Sequence, residues 1–195
     1  MSASMQSDSS GGDLLRSERI HAAALGLWLG VLGLAGASAA IIFPTVKTLA
    51  PRLEAYPNFT GEHWKLAAGI VQARIFTAMD VACVAMALVA VVSVINTWMR
   101  SDFSGTLART RGAVIAVACV ALGYQLFVLG PVMSQNVRSY WAAAAAGDNV
   151  RAEQARVAFE TDHPVASRTL GFQFAGVAAS LALGLAHKPR VRRGV

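Results

Sequence analysis

Four long apolar runs, with a single charge among them, constrain this chain more than anything else in it. Residues 20–43 contain no Asp, Glu, Lys or Arg. As a helix rising about 1.5 Å per residue, those 24 residues reach about 36 Å, more than the roughly 30 Å hydrocarbon core of a bilayer. A second run covers 75–99, bounded by Arg74 and Arg100, with Asp80 as its single charge. A third covers 112–133, opened by Arg109 and Arg111, and a fourth covers 169–186 behind Arg168. The expected fold is therefore all-α, a polytopic membrane four-helix bundle.

Composition supports this reading. Charged residues make up 14% of the chain, against about 25% in an ordinary soluble domain. Aromatics are only 8%, so the apolar excess is largely Ala, Val, Leu and Gly. Small residues let helix backbones approach closely in lipid. The net charge of +6 does not point to nucleic acid, because the basic residues flank the spans and no basic stripe carries interleaved aromatics. Cys83 and Cys119 lie inside spans and form no disulfide framework.

Outside the spans, residues 1–19 are rich in Ser, Gly and Asp and read as a disordered leader. Residues 20–187 form the four-span domain, and 188–195 a basic tail suited to anionic lipid headgroups. Ala37-Ser38-Ala39 resembles a signal-peptidase site. However, the apolar run continues through Phe43 and the leader is long and contains acids, so the first span is expected to be retained. The leader, the 100–111 loop and the tail hold nine Lys and Arg in about 40 positions, and the other two loops hold eight in about 66. The denser set is expected to be cytoplasmic, with both termini.

The two outer loops are expected to hold short amphipathic helices. Thr60 is placed to cap a helix through Trp64, Ala68, Val71 and Ile75 leading into span two. Pro44 is expected to close span one, and Gly130-Pro131 to kink span three or end its regular part. Span three should continue through Val137, Trp141 and Ala144 until Gly147-Asp148-Asn149 stops it. A further helix from about 150 to 160 meets Pro164, expected in the first turn of the next helix. Trp64, Tyr140 and Trp141 suit the lipid–water boundary.

Several constellations invite function. Gly26, Gly30, Gly33, Ala37 and Ala40 share one face of span one, a seam for close helix packing. Gly176, Ser180 and Gly184 repeat it in span four, with Gln173 and His187 on the same face. The structural reading is a tight bundle; the alternative is a polar translocation path along Gln173, Ser180 and His187. Asp80 is either paired with Arg168 at the same depth, simply exposed, or a proton or ion site. Met79, Cys83 and Met86 share a face of span two and would suit Cu(I) as a metal site; ordinary apolar filling is the alternative. His21 and His187, at one end of spans one and four, are the candidate haem ligands. The expectation is that no cofactor is bound, neither haem nor copper.

Leu27-Trp28-Leu29-Gly30 followed by Phe43-Pro44 resembles the opening of the small membrane proteins typified by transmembrane protein 205 and its bacterial relatives. Phe159-x-x-x-His163 followed by Ser167 resembles that family's F-x-x-L-H-x-x-S motif, with Asp162 where the family favours Leu and Ser167 one position late. The resemblance spans residues 20–187. It implies a four-helix bundle without established enzymatic activity, hence a membrane scaffold or interaction protein, with His163 as a candidate polar site. A haem oxidoreductase and a transporter of a metal or small solute are the rival readings. The lipid bilayer is the expected partner, with homo-oligomers compatible with the seam.

The charge asymmetry predicts that reporter fusions at Val195 and in the 145–150 turn label opposite sides of the membrane. An extracellular reporter signal from Val195 would reverse the topology.

Overall fold

The computed structural model describes residues 3–100 and 106–186. Among these the only regular structure is helical: α1 (Ala3–Leu49), α2 (His63–Arg100), α3 (Thr106–Tyr124), a π turn (Gln125–Leu129), α4 (Gly130–Ala145) and α5 (Asn149–Ala186). The π turn joins α3 to α4 end to end, giving four helical rods. All four are long and apolar enough to cross a membrane. The chain is a multi-pass membrane protein built as a four-helix bundle.

The helices run further than the hydropathy pattern suggests. α1 passes through Pro44, expected to end it, and reaches Leu49. It stops where Ala50 takes φ 42 and Pro51 follows. The leader, expected to be disordered, is helical from Ala3. Likewise α5 is one helix from Asn149, and Pro164 sits inside it instead of opening a new one. A proline removes one backbone bond and crowds the preceding turn, but it does not oblige the chain to restart. The amphipathic segment at 64–75 is simply the first part of α2. Because α2 begins at His63, Thr60 does not cap it; the Thr60 N–H instead donates to Asn149 Oδ1 at 2.9 Å.

Gly130-Pro131 acts as anticipated, through a specific device. Pro131 has no N–H to give to the turn before it, and the ladder widens into a π turn in which Gly130 N–H donates to the Gln125 carbonyl. A Cβ at position 130 would lie 2.9 Å from that oxygen, so glycine is what permits the turn. Gly147, at φ 75, reverses the chain between α4 and α5.

Around the bundle the order is α2, α1, α5, α3, with α2 and α3 touching only sparsely. The main core joins Leu25, Trp28, Leu32 and Ala35 of α1 to Met79, Cys83, Ala87 and Ala90 of α2. Ile115, Ala118 and Leu122 of α3 and Val177 of α5 complete it. A second cluster at the loop end packs Phe59 and Leu66 on Tyr140, Ala143, Ala144 and Ala152. Tyr140 is thus buried within the protein, not at a lipid boundary, and Trp141 packs against the same cluster.

The two small-residue seams part company. A Cβ at position 176 would lie 3.2 Å from the Ala118 side chain and 3.5 Å from the Val114 carbonyl, so α5 does use its seam to approach α3. In α1 the seam faces away from the bundle: Gly26, Gly30 and Gly33 are exposed, with nothing within 4 Å of the place a Cβ would occupy. The face α1 buries is instead Ala24, Leu25, Trp28, Leu32 and Ala35. Lipid supplies no hydrophobic drive between helices, so van der Waals packing sets the facing, and the large side chains interdigitate with α2, α3 and α5.

Overpacking should therefore fall on the buried face. Ala35→Leu, at a site 2% exposed, should destabilise the folded protein by about 1–3 kcal/mol, whereas Gly30→Leu should leave the stability of a single copy nearly unchanged. Equal losses in unfolding experiments in detergent would contradict the assigned facing of α1.

Candidate functional site

Two polar layers lie inside the bundle. The first is near the end where α1 starts and α5 finishes. Arg111 of α3, only 6% exposed, reaches across the bundle to α1 and donates from Nη1 to Glu18 Oε2 at 2.7 Å. Its guanidinium lies over Gly184 of α5, where a Cβ would come within 2.9 Å of Nη2. Gly184 therefore makes room for a cation. His21, 1% exposed, pairs through Nδ1 with the Ala90 carbonyl at 3.0 Å. Since a carbonyl only accepts, Nδ1 carries the proton in that bond and Nε2 is left without a partner. Ser17 Oγ donates to the Ser93 carbonyl at 3.2 Å, tying α1 to α2 just beyond.

The second layer lies deeper. Contacts fix the helix register: Glu18 meets Arg111, His21 meets Ala90, and Gly176 abuts Ala118. Counting about 1.5 Å per residue from the Glu18–Arg111 pair puts His21 and Ser180 about 5 Å along the axis, Trp28, Cys83 and Gln173 about 15 Å, and Asp80 and Gln125 about 20 Å. Between the layers, Leu25, Ala87, Ile115, Ala118 and Val177 are all buried and form an apolar barrier.

In the deeper layer the side chains find no partners. Gln173, 1% exposed, leaves both Oε1 and Nε2 unbonded. Asp80 Oδ1 and Gln125 Oε1 are also sealed from solvent without a hydrogen bond, as is Ser180 Oγ nearer the first layer. Trp28 Nε1 is buried with only the weakly accepting Cys83 thiol beside it. Most buried polar atoms in proteins have a partner, so such a cluster calls for a physical explanation.

The candidates named from sequence are distributed across these features. Gln173 and Ser180 do face the interior. Asp80 and Arg168 do not pair: Arg168 is exposed, and α2 and α5 stand on opposite corners of the bundle. Met79 and Cys83 are buried, and Met86 packs beside them in the core. Among the described residues no group of three or more His, Cys, Asp or Glu is placed to hold a metal. His187 and the 188–195 tail lie outside the described residues. His163 is exposed on α5, with its ring centroid 5.7 Å from that of Phe159 and Nδ1 3.5 Å from Ser167 Oγ, so the motif residues form a local surface group.

Sequence reasoning missed the Glu18–Arg111 pair, Trp28 and Gln125. Arg111 looks like any flanking charge, and Glu18 belongs to a leader that reads as disordered. At the loop end His63 locks the 50–62 segment: Nδ1 accepts from Leu53 N–H at 3.1 Å, and Nε2 therefore donates to the Phe59 carbonyl at 3.0 Å. Beside it Lys65, and after it the Trp64 indole N–H, hold the Glu62 carboxyl below its usual range. An open depression of about 670 Å³ lies here against Pro51, Asn58 and Trp64, apart from the buried layers.

No family model matches the chain, and no match is found among curated proteins or solved structures.

Removing one partner of a buried ion pair strands the other. Glu18→Gln should cost about 3 kcal/mol by leaving Arg111 unpaired, and Arg111→Gln should cost less, since Glu18 is 23% exposed. The double variant should recover part of the loss. A double-mutant cycle with zero interaction energy would remove the pair from the structural account.

Proposed function

We propose that this protein acts as an interaction protein within the membrane and that α1 is its contact surface, taking a second copy of the chain. One observation carries this reading: Gly26, Gly30 and Gly33, with Ala37 and Ala40, form an exposed stripe against which nothing in the chain packs. Each glycine inside a helix costs roughly 0.5–1 kcal/mol relative to alanine. A stripe of them is useful where another backbone approaches closely, as in small-xxx-small helix pairs. Copies inserted in one orientation present this face to one another around a two-fold axis along the membrane normal. The likeness of Leu27-Trp28-Leu29-Gly30 to the transmembrane-protein-205 family, whose members have no established enzymatic activity, supports the same reading.

A second reading, transport of a small solute, draws on a separate observation, the buried groups without partners around Gln173.

Single-molecule photobleaching in liposomes should find pairs of wild-type chains. Gly30→Leu should shift the distribution to single chains. Gly171→Leu, on α5 and equally open with nothing within 4 Å, should leave the pairs intact. Pairing that survives Gly30→Leu would refute the α1 contact.

A further inference from the structure

We propose that the deeper polar layer is a binding site for one small monovalent cation, held with part of its water. Each rod of the bundle contributes to it: Trp28 from α1, Asp80 from α2, Gln125 from the π turn and Gln173 from α5. All lie within about 5 Å of one another in depth by helix rise. By the 3.6-residue repeat each falls on the arc of its helix that carries the core residues Leu25, Cys83, Leu122 and Val177. Trp28 and Gln173 are fully buried, and Asp80 and Gln125 partly so.

The donor set identifies the occupant. Three oxygens, Asp80 Oδ1, Gln125 Oε1 and Gln173 Oε1, are sealed from solvent and accept no hydrogen bond. They are hard ligands of the kind that take alkali and alkaline-earth ions in preference to soft metals. Only one is a carboxylate, so the site carries a single negative charge and balances one monovalent ion. Among the described residues no cation supplies that balance, because Arg74 and Arg168 are exposed and Arg111 is committed to Glu18 about 20 Å away along the axis. An uncompensated carboxylate in hydrocarbon is costly, and intramembrane acids face polar interiors and partners for that reason. Trp28 Nε1–H and Gln173 Nε2–H cannot bind a cation, but they can donate to water retained in its shell. The π turn fits the assignment, since such turns occur inside helices mainly at functional sites. On the other side, Leu25, Ile115 and Val177 close the layer off from His21 and Arg111.

The test compares thermal unfolding of the purified full-length protein in NaCl, KCl and N-methylglucamine chloride at equal ionic strength and pH. A ligand bound only by the folded state raises Tm with its concentration. Sodium or potassium should raise Tm over N-methylglucamine with the logarithm of its concentration above Kd, by on the order of 5 °C once the ion exceeds Kd by roughly ten- to a hundredfold. Asp80→Asn and Gln173→Leu should abolish that difference whatever their own Tm, while Gly171→Leu on the lipid face should retain it. If Asp80→Asn does not fold, Gln173→Leu carries the assignment. Equal wild-type Tm in all three salts overturns the proposal. So does a salt effect that persists in Gln173→Leu. Stability that follows pH but not the cation assigns the layer to a proton instead and also overturns it.

Discussion

Hydrocarbon offers no hydrogen bonds, and this one property of the surroundings shapes the whole molecule. Every backbone N–H and C=O within the bilayer must be satisfied by the helix that carries it. Long unbroken rods follow, and they persist through Pro44 and Pro164. Where Pro131 takes away a donor, the ladder widens to a π turn and continues, with Gly130 supplying the space. The same property sends polar side chains inward, since lipid-facing positions cannot serve them.

Once inside, these side chains separate into two populations with different physical status. At the terminal end each side chain has a partner, Arg111 with Glu18, His21 with Ala90 and Ser17 with Ser93, although His21 Nε2 and Arg111 Nε stay unbonded. These contacts link α1 to α2 and α3, and the guanidinium lying over Gly184 adds α5. Some 15–20 Å further along the axis Asp80 Oδ1, Gln125 Oε1 and both polar atoms of Gln173 are buried without a protein partner, with Trp28 Nε1 against the Cys83 thiol. The first population acts as a clasp, and the second is bonding capacity that the protein itself does not use. An apolar belt around Leu25 and Val177 keeps them apart, so the interior is not a continuous polar channel.

Small residues also do two different things here. On α5 they permit close approach: Gly176 to Ala118 of α3, and Gly184 to the Arg111 side chain. On α1 they are turned outward, because Trp28, Leu25 and Leu32 fill the space between the helices by van der Waals packing. The helix-breaking tendency of Gly26, Gly30 and Gly33 is then uncompensated within a single copy, and the proposed pairing of chains rests on that observation.

Four apolar runs with Asp80 as their single charge, each long enough to span a bilayer, determined the helical class and the number of rods, but not how far each rod extends beyond its run. Periodicity alone also identified the small-residue stripes and placed Gln173 and Ser180 on the face α5 shares with Gly176, because the 3.6-residue repeat is a local property. What the repeat cannot specify is azimuth: in a helix that is apolar all round, no contrast between a polar and an apolar side marks the inward face. The tertiary structure decided that Ala35 is buried and Gly30 is not, and that Arg168 points away from Asp80. It also decided that a leader glutamate would close on a flanking arginine across the bundle. Those choices depend on which helices become neighbours and on how large side chains divide the core among them, and neither is encoded in any single segment.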